Sequence, residues 1–141
     1  IKPKLVIFGK KDYQQFLLVK EFIVENNFNI EIIGGNTIRE ESGLALSSRN
    51  NLLSKKNKYL ASHIYKALNE INLSKENLNE ELITNKKNYL TKLGFDVDYF
   101  TACDPSTLED SFEIYKSDIL IAVAAKLGDV RLIDNILLSK L

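Results

Sequence analysis

Leu5-Val6-Ile7-Phe8-Gly9-Lys10-Lys11-Asp12-Tyr13-Gln14-Gln15 is an apolar run that ends in glycine and passes into a helical pattern. Continuous apolar residues of this kind suit a strand covered on both faces, as in the parallel sheets of α/β folds. The expected strand runs from Ile1 to Phe8, with Pro3 near its start, where a missing N–H is tolerable. Tyr13 to Asn26 then sets Phe16, Val19 and Ile23 on one helical stripe with Phe22 beside it, and Asn26-Asn27 closes the helix. Phe28 to Ile33 reads as the next strand and Gly34-Gly35-Asn36 as a turn. Strand, helix and strand within about 33 residues make a βαβ unit.

A strand that ends in glycine and runs into a helix start is where α/β folds hold phosphates. Gly9 allows a close approach to the backbone, the first N–H groups of the helix attract anions, and Lys11 adds a mobile positive charge. A purely structural reading stands beside this one: Asp12 caps the helix, and Gln15 at N3 completes a capping box.

The second informative stretch is Ile38-Arg39-Glu40-Glu41-Ser42-Gly43-Leu44-Ala45-Leu46-Ser47-Ser48-Arg49-Asn50. Two hydroxyls beside an arginine on a glycine-containing loop suit a polyphosphate, because hydroxyls donate and a guanidinium forks onto oxygens. Ser47 and Ser48 could equally serve to cap a turn. Thr37 to Leu53 shows no sustained period and reads as a long ordered loop, a type that is often functional.

The remainder reads as helix and sheet. Ser54 offers an N-cap for a helix from Lys55 to Ile71 that buries Leu60, Ile64, Ala67, Leu68 and Ile71. After a polar break from Asn72 to Lys75, a second helix buries Leu78, Leu82, Tyr89 and Leu93, with Gly94 as terminator. Val97 to Cys103, Ile119 to Lys126 and Val130 to Ile136 read as strands, the last two joined at Leu127-Gly128-Asp129 in a hairpin. His63, the one histidine, reads as a surface or partly packed side chain with no second metal ligand nearby. Cys103 has no adjacent histidine or basic residue and reads as packing rather than nucleophile.

The composition sets limits on function. Lys plus Arg and Asp plus Glu both number 19, so no net field draws the chain to nucleic acid or to a membrane surface. The single cysteine excludes an internal disulfide, in keeping with a reducing cytoplasm. No apolar run reaches membrane-spanning length. The sequence has no methionine and begins almost inside a strand, so the expectation is a piece of a longer protein.

Phe-Gly-x-Lys-Asp-x-Gln-Gln at residues 8–15 and Arg-Glu-x-x-Gly-Leu-Ala-Leu-Ser-Ser-Arg-Asn at residues 39–50, taken together, closely resemble the pantothenate synthetase (pantoate–β-alanine ligase) family. Arg131-Leu132-Ile133-Asp134-Asn135 resembles the family's ending, so the resemblance covers the whole chain. It implies a fold and a division: residues 1–37 as the end of a Rossmann-like α/β nucleotide-binding domain, and residues 38–141 as a small α+β lid domain. That second part has two helices and a three-stranded antiparallel sheet. The activity implied is condensation of (R)-pantoate with β-alanine through a pantoyl-adenylate, using ATP and Mg²⁺ and releasing AMP and pyrophosphate. The implied setting is a cytoplasmic homodimer without nucleic-acid or membrane partners. Carried over by motif, Gly9, Lys10, Lys11 and Asp12 line the ATP site, with Lys11 on phosphate and Asp12 on the ribose. Ile38 sits by the adenine through its backbone, and Leu46, Ser47, Ser48 and Arg49 form a second nucleotide segment. Lys11, Ser47, Ser48 and Arg49 are the catalytic candidates, Gln15 holds pantoate, and no residue is assigned to a metal.

Two positions depart from the pattern: Lys10 stands where the family usually has Glu, and Ser42 where it usually has Asp. The family's His-x-Gly-His motif is also absent, since His63 is the only histidine. The chain is therefore expected to hold about half of a bipartite site and to be inactive alone. The alternatives are a related nucleotidyltransferase with another substrate, or a non-catalytic nucleotide-binding or interaction module.

Overall fold

Asp12 starts the first helix of the chain, its Oδ1 accepting from the Gln15 N–H at 3.2 Å. In the computed structural model, which describes residues 3–141, this helix (α1, Tyr13–Glu25) connects two parallel strands, β1 (Leu5–Gly9) and β2 (Glu31–Gly35). The expected start of β1 at Ile1 lies outside the described residues, and the described strand opens at Leu5. The helix ends in a Schellman motif built on asparagine instead of glycine. Asn27 takes φ 50° and donates to the Val24 carbonyl, Phe28 donates to the Ile23 carbonyl, and the Phe22 and Phe28 rings meet at 5.7 Å.

That cap corrects the expected second strand. Phe28 is used to close α1 and Ile30 donates back to the Phe28 carbonyl, so pairing starts only at Glu31. At the other end, Gly34 and Gly35, expected as a turn, continue the ladder opposite Phe8 and Gly9. A Cβ at Gly34 would displace the far end of the Lys10 side chain and lie 3.2 Å from the Phe16 ring. Nor is β1 covered on both faces. Leu5 and Ile7 are exposed, because the single helix of this unit can cover one face of two strands.

Residues 39–141 form the second unit, the chain dividing after Ile38. A 3₁₀ turn (Ser48–Leu52) leads to α2 (Lys55–Ala61), α3 (His63–Leu73) and α4 (Glu80–Lys92). The sheet follows, ordered β3 (Asp96–Cys103), β4 (Ile119–Leu127), β5 (Val130–Leu138), antiparallel throughout. The expected single helix from Lys55 to Ile71 is broken at Ser62. Its hydroxyl donates to the Tyr59 carbonyl at 2.7 Å and its N–H bonds the same carbonyl, three residues back instead of four. Asn72 and Leu73, expected in the polar break, belong to α3.

On α4 the fully buried positions are Ile83 and Leu90, while Leu82, Tyr89 and Leu93 pack at the margin. Leu78 is buried just before the Asn79 cap, whose Oδ1 accepts from Leu82, and shares the core with Ile83 as the residues of a hydrophobic staple do. Gly94 ends α4 at φ 94°, the left-handed conformation that a terminator requires. Gly128 turns the β4–β5 hairpin at φ 61°. Central β4 is apolar and almost wholly buried, with Ile119, Ile121, Val123 and Ala125 in one continuous core with Leu68, Ile71 and Leu90.

Candidate nucleotide site

The residues singled out from the sequence fall into two groups, one in each unit. In the first unit, β1 ends at Gly9, whose Cβ position has nothing within 4 Å among the described residues, so the backbone there is open. Lys10 donates its N–H to the Gly35 carbonyl at 2.8 Å and lays its aliphatic stem against Gly34. Lys11 is half-buried, and Asp12 is exposed at the helix cap. Gln15 is exposed, and among the described residues its side-chain amide has no hydrogen-bond partner. Only one arm of the capping box therefore forms: the helix accounts for Asp12 but not for the Gln15 amide. Ile38, at the end of this unit, is 71% exposed.

In the second unit the long loop is ordered by its own bonds. Arg39 and Ala45 form an antiparallel bridge, Glu40 N–H donates to the Leu44 carbonyl, and Gly43 N–H donates to the Glu40 carbonyl. Gly43 sits at φ 86° with Tyr65 against it, so close that a Cβ would collide with the ring. Ser42 Oγ accepts from the Leu44 N–H at 3.4 Å, keeping the local acceptor that an aspartate would also present. Ser47 Oγ accepts from Arg49 N–H at 3.2 Å and caps the 3₁₀ turn.

The motif thus splits by exposure. Leu44, Ala45 and Asn50 are buried and Arg39 is paired, whereas Leu46, Ser48 and Arg49 are exposed and Ser47 is half-buried. Asn50 closes the loop that carries these four: its Nδ2 donates to the Ala45 carbonyl at 3.1 Å and to Glu40 Oε1 at 3.4 Å. Its Oδ1 is buried without a partner among the described residues. Lys58 Nζ holds the same Glu40 oxygen at 3.0 Å.

Sequence reading missed the Arg39–Asp134 ion pair. It is bidentate, with distances of 2.5 and 3.0 Å, and the Asp134 side chain is 4% exposed. The signal for it was an aspartate within an apolar strand, which needs a partner. The other titratable candidates are structural. Burial, with the Asp110 and Asp104 carboxylates adding to it, pushes the Cys103 thiol up to about 11, the reverse of what a nucleophile needs. His63 Nδ1 lies 2.5 Å from the Tyr89 hydroxyl. Among the described residues, no group of three or more His, Cys, Asp or Glu side chains could hold a metal ion, and no helix is long and apolar enough to cross a membrane.

The family profile described as Pantoate-beta-alanine ligase matches residues 1–137. This chain belongs to that family. A pantothenate synthetase from Thermodesulfovibrio yellowstonii is 40% identical over 99% of this chain and 51% of its own length. One from Desulfatibacillum aliphaticivorans is 39% identical over 96% of this chain and 49% of its own. The chain spans about half the length of the curated relatives it matches. Among solved structures, pantothenate synthetase from Thermus thermophilus superposes with a TM-score of 0.91 at 32% identity, covering 99% of this chain and 51% of that one. Pantoate-beta-alanine ligase from Francisella tularensis, complexed with beta-gamma ATP and beta-alanine, gives 0.70 at 33% identity over 96% of this chain and 44% of that one. As a ligase-family chain it has the expected fold, a strand-helix-strand unit followed by helices and a three-stranded antiparallel sheet.

Proposed function

We propose that this chain supplies about half of an ATP-dependent ligase site that joins pantoate to β-alanine. In this reading the pantoate carboxylate attacks the α-phosphorus of ATP and the bond to pyrophosphate breaks, leaving pantoyl-adenylate. The β-alanine amine then attacks the acyl carbon, loses a proton and expels AMP. Mg²⁺ enters with the phosphates as part of the substrate. Lys11 neutralises charge on the phosphates, Asp12 meets the ribose, Gly9 and Lys10 border the nucleotide, and the Ile38 backbone lies by the adenine. Leu46, Ser47, Ser48 and Arg49 form the second nucleotide segment, and Gln15 holds pantoate. Such roles ask for positioning and fixed charge rather than new covalent chemistry from the protein. The observation that carries the reading is the partition of the Arg39–Asn50 motif: its buried members hold the loop, and the polar Ser48 and Arg49 are left exposed. Gln15 supports it, being a helix residue whose amide the fold does not use.

The test is single-turnover formation of pantoyl-adenylate by the complete polypeptide. Lys11→Ala should slow it by on the order of a hundredfold, as loss of a transition-state charge contact does. Lys10→Ala should do much less, because the Lys10 stem is committed to packing on Gly34. Equal effects of the two substitutions would show that the phosphate contact has been given to the wrong lysine.

A further inference from the structure

Arg39 has the chemistry of a ligand-binding arginine but none of the availability of one. Each of its terminal nitrogens donates twice: Nη1 to Asp134 Oδ2 and to the Gly43 carbonyl at 3.1 Å, Nη2 to Asp134 Oδ1 and to the Asn135 carbonyl at 3.4 Å. The guanidinium carbon also lies 3.9 Å from the centroid of the Tyr65 ring. Asp134 and Asn135 sit on β5, which is paired to β4 along its whole length, so one end of this network is fixed in the core sheet. The other end is the Glu40–Gly43 turn, and from it the contacts continue through Glu40 Oε1 to Asn50 and through Asn50 to the Ala45 carbonyl. Residues 46–49 are the short arc between those two tied points, Ala45 and Asn50.

We propose that Arg39 is a positioning residue for the nucleotide segment, holding the Leu46–Arg49 arc in shape through the buried pair with Asp134. The proposal rests on the reading of Ser47, Ser48 and Arg49 as nucleotide contacts. Lysine cannot replace Arg39, since a compact ammonium cannot fork onto a carboxylate, reach two further carbonyls and stack on a ring at once. The role is local to the loop, because the core helices and the β3–β4–β5 ladder are closed by apolar contacts and backbone bonds in which Arg39 takes no part.

The test uses the isotopically labelled 141-residue chain, followed amide by amide, with MgATP as the probe. In Arg39→Lys, and separately in Asp134→Asn, exchange at the Gly43, Asn50 and Leu53 amides should accelerate by about tenfold while β4 amides keep their protection. The double variant should add nothing to either single one, as expected for groups acting as a unit. Both variants should also weaken the MgATP-dependent shifts of Ser48 and Arg49 by about fivefold or more. Unchanged exchange at those three amides would overturn the proposal, and so would equal acceleration through β4, which would make the pair a support of the core. Arg49→Ala separates the two readings. If it leaves MgATP binding unchanged, or if the unaltered chain binds none, the nucleotide reading of the arc fails, and exchange alone decides whether Arg39 holds it. If Arg49→Ala weakens binding and Arg39→Lys does not, Arg39 does not position the segment.

Discussion

The two units of this chain solve the problem of burial to very different degrees. In the described part of the first, only Ile23 is buried, while Leu5, Ile7, Leu18, Phe22, Val24, Phe28 and Ile33 are exposed. In the second, Leu68, Ile71, Leu90, Ile114, Ile119 and Ile121 are almost completely withdrawn from solvent in one continuous core. The cause is geometric. Two strands and one helix have more apolar faces than they can turn toward each other, whereas three helices on one sheet can close a layer. The difference also separates two kinds of site. In the first unit the candidate residues stand on a strand end and a helix cap. In the second they stand on a loop that is tied to a finished core.

The largest expected effect is on backbone protection. In a monomeric, dilute sample of the chain, exchange at Leu5–Phe8 should be at least about a thousandfold faster than at Ile119–Val123, since opening costs least where little apolar area is buried. A more concentrated sample should gain protection in β1 through self-association of its exposed apolar face. Equal protection in the monomer would break the comparison, because it would mean that strand-helix-strand closes stably on its own.

A smaller effect sharpens the picture of the second unit. The Cys103 thiol is neutral in its buried site, and its folded value of about 11 stands above the ordinary 9.0. The folded state therefore keeps a proton that the unfolded chain has released between those values. Stability from this group is fully present below pH 9 and is lost as pH rises through 11, by about 2–3 kcal/mol. Urea melts of the native chain and of Cys103→Ala should diverge over that window, with the native chain falling more steeply. Parallel curves would mean that water reaches the thiol and that this part of the core is not closed.

The smallest stability effect belongs to Gln15 in the first unit. With its amide unpartnered, Gln15→Ala should change stability by no more than about 0.5 kcal/mol, below the roughly 1 kcal/mol of a working cap. On the proposed ligase reading, the same substitution in the complete polypeptide should raise the Michaelis constant for pantoate and leave that for ATP nearly constant. A lowered melting temperature with unchanged pantoate kinetics would return the residue to the helix cap.

What the sequence determined by itself was whatever obeys local rules. The helix caps at Asp12 and Ser54, the terminators at Asn27 and Gly94, the Gly128 hairpin and the apolar spacing of α3 and β4 depend on neighbours a few residues away. The family was also legible, because its two motifs keep both residue identity and separation. The tertiary structure alone decided which motif residues are buried or paired and which stay exposed. Arg39 and Asp134 lie 95 residues apart, and no local pattern in either segment names the other as partner. The same holds for Gly43, whose glycine answers to the Tyr65 ring. The exposure of β1 has the same physical reason. A run of apolar residues states that cover is favourable, but only the packing of other elements determines which face receives it.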